Sequence, residues 1–280
     1  MRQYFPPVDS HLLQSKYVAQ QYQIRVAKPP QKRGESRRLP VLYLTDANDV
    51  FDEFCSIAWR LQLFGRDVAP FLLVGIGYPG DSPLAGMALR ARDLTFSNRD
   101  EVEFKDFLDS LSSEWEDILL PQPGTADFNG AEAFQNFMAE ELIPFIDQNY
   151  ATEAGLRTFF GHSLAAGFGL FTLLTRPALF RNYIVSSPTV DLELARHFLA
   201  SGPLLDGTRL FLSVGTEEQF EPLIARWQFV SNFYQLVQLL KEAPPLGLEI
   251  RAEALAGETH ATAWPIAFMH GLRWLLNVGR

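Results

Sequence analysis

Apolar and polar residues alternate through residues 17–27, with Tyr22, Ile24 and Val26 on one face and Gln21, Gln23 and Arg25 on the other. That period of two is the mark of a half-buried antiparallel strand. The pattern then changes to unbroken apolar runs at 41–44 and 71–76, separated by a stretch of helical spacing over 50–64. Such runs belong to strands covered on both faces. The rhythm returns with a strand at 156–160, a helix running through Leu174, a strand at 182–186 and a helix at 192–200. It continues with a strand at 209–214, a helix at 221–241, a strand at 248–255 and a closing helix at 265–276. Strands alternating with helices predict a mostly parallel central sheet with helices on both faces and an N-terminal antiparallel strand, in one α/β domain spanning residues 1–280. Residues 79–130 break the rhythm and carry turn-forming clusters such as Pro79-Gly80-Asp81-Ser82-Pro83 and Pro121-Gln122-Pro123-Gly124. So long an irregular stretch in a compact domain is read as a covering over an active site, with Phe96, Phe104, Phe107 and Phe128 either lining an apolar site or, as favoured here, packing beneath the covering.

One junction in this rhythm carries chemistry. Phe159-Phe160-Gly161-His162-Ser163-Leu164-Ala165-Ala166-Gly167 runs from an apolar strand through small residues into an apolar helix. A serine on so sharp a strand-to-helix turn requires small residues two before and two after it, the places of Gly161 and Ala165. A helix starting just past Ser163 directs unpaired N–H groups at the turn, which makes the Leu164 N–H a candidate oxyanion donor. A second donor is sought in the loop after the strand at 41–44, at the backbone of Asn48, although Asp and Asn there also suit an ordinary turn. The partner base is expected after the last strand and before the last helix, where His260 stands. His11, His197 and His270 lie in less suitable segments, and the side chain of His162 is expected to point away from the turn. For the acid, Glu217 and Glu218 follow the strand at 209–214 and either could orient an imidazole, with Asp191 a third option and a Ser163–His260 dyad a fourth.

Composition narrows the partners. With 47% hydrophobic residues in 280, the chain can bury a full core. Its formal charge of -9 opposes binding to nucleic-acid backbones. No run of about eighteen apolar residues suggests a membrane span, and the first residues lack the apolar run of a secretory signal, so a cytoplasmic location is expected. Cys55 is the only cysteine and lies in a segment of helical spacing, where a small core residue is expected.

At these residues the sequence resembles the esterase family that includes siderophore trilactone esterases, esterase D, feruloyl esterase domains and mycolyl transferases. The likeness is carried by Pro40-Val41-Leu42-Tyr43-Leu44-Thr45-Asp46-Ala47-Asn48, by Leu73-Val74-Gly75-Ile76-Gly77-Tyr78-Pro79 with Arg92-Asp93-Leu94-Thr95, by residues 160–167, and by His260 with Trp264-Pro265. It spans the chain from about Tyr22 to Leu276 and is nearest to the siderophore-esterase-like branch. Ala47 and Ala165 stand where the family often has glycine. The resemblance implies an α/β-hydrolase fold and hydrolysis of a small-molecule carboxylic ester through an acyl-enzyme, without metal or organic cofactor. It also implies Glu218 as the acid, and Arg92 and Trp264 near the substrate, with an Arg92–Asp93 structural pair as the competing role for the arginine. An acyltransferase using the same three residues, and a noncatalytic binding protein on the same fold, are the alternative readings; the ester and the oligomeric state are left open.

Overall fold

The computed structural model describes residues 7–30, 37–65, 67–80, 86–96, 106, 128–202 and 205–278. Among the described residues one sheet has eight strands: β1 (Val8–Gln14), β2 (Gln21–Ala27), β3 (Leu39–Leu44), β4 (Leu72–Gly77), β5 (Thr152–His162), β6 (Asn182–Ser186), β7 (Arg209–Gly215) and β8 (Glu249–Leu255). They lie in the order β1-β2-β4-β3-β5-β6-β7-β8. β1 and β2 are antiparallel to their neighbours, whereas β3 to β8 are mutually parallel. In β2 the alternation holds: Tyr22, Ile24 and Val26 are buried, and the residues between them are partly exposed.

The inner strands show why their runs are apolar throughout. Phe159 and Phe160 are adjacent in β5 and so point to opposite faces. Phe159 packs on Phe168 and Phe180, while Phe160 meets Phe54 and Phe268. Each ring belongs to a different core cluster, and burial of each is worth about 2 kcal/mol. The second cluster lies under helices α1 (Ala47–Arg60) and α8 (His260–Leu275). The first lies under α2 (Met87–Leu94), α3 (Ala131–Phe137), α4 (Ile143–Asn149), α5 (Leu164–Thr175), α6 (Leu192–Ala200) and α7 (Phe229–Glu242). Cys55 sits buried in α1, its thiol pushed up to about 11 by burial first and by the Asp52 charge second.

Three elements depart from the sequence pattern. β1 was not anticipated: it is an edge strand, half exposed along its length, so neither face presents a continuous apolar row. The segment 221–241 is not one helix. Tight 3₁₀ turns at Thr216–Phe220 and Ala225–Trp227 precede a left-handed Gln228 (φ 54°), and only then does α7 begin. The last helix starts five residues before Pro265, at His260, because Thr259 caps it and exchanges hydrogen bonds with Thr262. Within 79–130, Phe96 stacks on Phe171 and Phe128 packs against the core, while Phe104 and Phe107 lie outside the described residues. Among the described residues no helix is long and apolar enough to cross a membrane.

The strand order positions the site. From β3 the chain moves to β4 on one side and later to β5 on the other. Loops leaving the C-terminal ends of β3 and β5 therefore diverge, and such a switch point is where parallel sheets leave a crevice for ligands. The turn after β3 carries Asp46 and leads into α1, whose second residue is Asn48; the turn after β5 carries Ser163.

Candidate active site

Ser163 is the hinge between β5 and α5, and its backbone is left-handed (φ 58°, ψ -122°), a conformation costing a non-glycine residue on the order of 1–3 kcal/mol. The turn is held from both sides. Ser163 N–H donates to the Ser186 carbonyl at the end of β6 (2.9 Å), and the Ser163 carbonyl accepts from Gly167 N–H (3.0 Å). Gly161 and Ala165 meet as the turn geometry requires: a Cβ on Gly161 would stand 2.4 Å from the Ala165 carbonyl oxygen. Leu164 N–H, at the first position of α5, has no acceptor within its own helix.

Glu218 is fully buried in the turn after β7, and its carboxylate is satisfied on both oxygens. Oε1 accepts from Ser187 Oγ (2.5 Å) and Gly215 N–H (2.8 Å); Oε2 lies 3.0 Å from His260 Nδ1. Gly215 is needed here, since a Cβ would stand 2.4 Å from the Glu258 carbonyl oxygen. The other two carboxylates considered from sequence are engaged elsewhere. Asp191 caps α6 through Leu194 N–H (2.8 Å), and Glu217 takes a bond from Thr216 Oγ1 (3.3 Å).

Two rings pack against His260. Phe229 stacks on it at 4.9 Å between centroids, and His162 lies 4.4 Å away. Its backbone N–H donates to Glu221 Oε2 (2.7 Å), which ties the start of α8 to the loop before α7. His162 corrects the sequence reading, because its ring turns toward the site, against His260 and Trp264. It is held well below the ordinary histidine value by burial, and further by the neighbouring His260 and Arg90. His11 and His270 are spent on Tyr150 and Glu253, away from Ser163.

Ser163, Leu164, His260 and Trp264 line one cavity of about 530 Å³, together with Asn48 and Arg90. Apolar side chains from the 3₁₀ region, Leu223, Ile224 and Trp227, close one wall; Met87 of α2 adds to another. Asn48 is fixed by its amide, which donates to the Tyr78 carbonyl (2.8 Å) and accepts from Tyr78 N–H (2.7 Å). Asp49, also on the cavity, has its carboxyl raised by burial and by the Asp46 charge. The arginine at the cavity is not Arg92. Residues two apart on a helix point about 200° from each other, so Arg92 turns outward to the buried Asp93 (2.6 Å) while Arg90 faces the cavity. Among the described residues no three metal-binding side chains converge.

A mostly parallel sheet, a left-handed serine at a strand-to-helix hinge and a carboxylate-backed histidine at the C-terminal edge define a hydrolase of the α/β-hydrolase fold. The family model described as "Putative esterase" matches residues 121–264, half of the chain, and the chain belongs to that family. It is similar to the ferri-bacillibactin esterase BesA of Bacillus subtilis (strain 168), at 29% identity over 97% of this chain and 90% of that protein. It is also similar to the siderophore triacetylfusarinine C esterase of Aspergillus fumigatus, at 26% identity over 68% of this chain and 59% of the relative. Among solved structures, the BES protein from Bacillus cereus superposes with a TM-score of 0.77 at 27% identity, covering 97% of this chain and 95% of that one. An IroE-like serine hydrolase from Shewanella oneidensis shares the fold, with a TM-score of 0.78 at 21% identity, covering 96% and 80%. The chain is a carboxylic ester hydrolase.

Sequence reasoning passed over Arg90, Glu221 and Ser187. Arg90 was legible only as a second arginine two residues from Arg92. Ser187 and Glu221 carry no local signal, because their partners lie 31 and 39 residues away.

Proposed function

We propose that Ser163 is the nucleophile, His260 the general base and Glu218 the orienting acid of an esterase that works through an acyl-enzyme. The observation that carries this reading is the Glu218–His260 pair at 3.0 Å, opening on the cavity that Ser163 also lines. With Nδ1 engaged by Glu218, Nε2 is the nitrogen left to take the serine proton. As Ser163 Oγ attacks the ester carbonyl, that proton moves to His260 and negative charge gathers on the carbonyl oxygen. The N–H groups of Leu164 and Asn48 stabilise it, each worth on the order of 3 kcal/mol of barrier. Collapse of the intermediate expels the alcohol, which takes the proton from His260. Water, activated by the same imidazole, then releases the acid and restores the serine.

The substrate proposed is a siderophore ester, on the likeness to the two siderophore esterases and on a cavity with apolar walls large enough for part of such a molecule. Trp264 would contact it from the His260 side. Residues 79–130 are proposed to cover the site within a single domain, a reading supported by Gly86, Met87 and Arg90 on the cavity. The test combines labelling and turnover. An organophosphonate is expected to modify Ser163, and Ser163→Ala to lose about a millionfold in kcat on an activated ester and on an iron-loaded siderophore ester. A Ser163→Ala protein that kept wild-type turnover would overturn the assignment.

A further inference from the structure

Asp46 occupies the N-cap of α1, where an aspartate ordinarily folds its carboxylate onto the free N–H of the second or third helical residue. It makes no such bond, and its backbone is left-handed (φ 57°, ψ 29°). The carboxylate faces Arg90 of α2 instead. Arg90 Nε donates to Oδ1 at 2.7 Å and Nη2 to Oδ2 at 3.0 Å, a two-point fork between side chains only 18% and 15% exposed.

The consequence falls on one atom. In the first turn of α1, Asp49 N–H and Val50 N–H already donate to the Asp46 carbonyl, at 3.0 and 3.1 Å. Asn48 N–H is therefore the donor that a capping carboxylate would take. The rest of Asn48 is anchored by its two bonds to Tyr78, and Gly77 makes room for that clamp, since a Cβ there would stand 2.6 Å from Asn48 Oδ1. A carboxylate on Asn48 N–H would consume the donor and place a negative charge beside the oxygen on which the transition state gathers one. The positive end of α1 would draw it there.

We infer that Arg90 is a positioning residue: it withholds the Asp46 carboxylate from the N-terminus of α1 and so keeps Asn48 N–H open as an oxyanion donor. This rests on the acyl-enzyme reading above. Arg90 then acts on the transition state without touching it, which separates this role from direct binding of an anionic substrate.

A double-mutant cycle on a neutral aryl acetate tests it. Arg90→Met is expected to lower kcat at least tenfold with KM changed less than about threefold, since a lost oxyanion donor costs on the order of a hundredfold in kcat and leaves ground-state binding largely alone. In an Asp46→Gly background, where glycine accepts the left-handed backbone and offers no carboxylate, the same substitution is expected to change kcat less than about twofold. Arg90→Lys, holding the carboxylate through one donor group, should fall between, and it carries the cycle if Arg90→Met does not fold. Equal losses on both backgrounds, or a loss confined to KM, would overturn the inference. Organophosphonate labelling of wild-type Ser163 is read alongside. Labelling with an additive cycle removes the Arg90 role alone, whereas no labelling removes the acyl-enzyme reading and the inference with it.

Discussion

Two carboxylates in this protein are equally hidden and comparably satisfied, yet they hold different partners. Asp93 accepts hydrogen bonds from the Tyr22 and Tyr78 hydroxyls and pairs with Arg92, and neither Asp93 nor Arg92 lines the cavity. Glu218 accepts from the Ser187 hydroxyl and the Gly215 N–H and meets His260 at the cavity wall. Burial pushes the Asp93 carboxyl up, against the pull of Arg92 and the two phenols. The difference lies in the remaining partner. A guanidinium keeps its charge at any ordinary pH, so the Asp93 cluster can only hold structure. An imidazole at the wall of a cavity can take and return a proton, which suits the role proposed for the carboxylate behind it. Burial and hydrogen bonding are common to both; only the carboxylate proposed as the acid meets an imidazole that lines the cavity.

The largest effect expected from breaking this contrast is at Glu218. Glu218→Gln keeps the shape but can hold His260 in the wrong tautomer, and kcat on an activated ester should fall by about 10³–10⁴ while the protein stays folded. A fall of less than tenfold would make the site a Ser163–His260 dyad. Asp93→Asn should show the reverse profile. Removing the charge strands Arg92 in a half-buried position, and unfolding in urea should reveal a loss of about 3 kcal/mol. Turnover per folded molecule should stay within about threefold, and a large kcat defect at unchanged stability would place the cluster in catalysis. The smallest effect concerns His162, which is neutral in the folded chain and takes up a proton below about pH 6.5 once unfolded. The unfolded chain then binds more protons, so stability rises with pH. The contribution is complete above about pH 6.5 and is lost as pH falls, at up to about 1.4 kcal/mol per unit. Melting curves at several pH values should therefore be flatter for His162→Gln below pH 6.5 than for wild type. Parallel curves would show that His162 does not titrate in that range.

The fold was legible wherever burial imposes a period. Tyr22, Ile24 and Val26 announce β2, and the unbroken runs of β3 to β7 announce strands covered on both faces. β1 was silent because an edge strand has no fully buried face. The 3₁₀ turns before α7 were hidden because Leu223, Ile224 and Trp227 mimic a helical stripe while in fact lining a cavity. In the site, Ser163 and His260 could be read from their places in the rhythm, since a strand-to-helix turn and the entry to the last helix are local features. The Asp46–Arg90 and Glu218–Ser187 contacts join residues 44 and 31 apart, and no local periodicity encodes them. The orientation of His162 was misjudged for a related reason: the turn fixes where its backbone goes, and the neighbouring His260 and Trp264 fix where the ring goes.

The two small residues flanking Ser163 differ in how much sequence change the hinge would tolerate. Position 165 already bears a methyl group and is wholly enclosed with it. Position 161 has no such slack, because the obstacle to a methyl there is the backbone of the following helix, which cannot rotate aside as a side chain can. Random variation around the hinge should thus be lopsided, with glycine accepted at 165 far more readily than alanine at 161. If Ser163 is the nucleophile as proposed, position 161 is the less permissive side of the hinge.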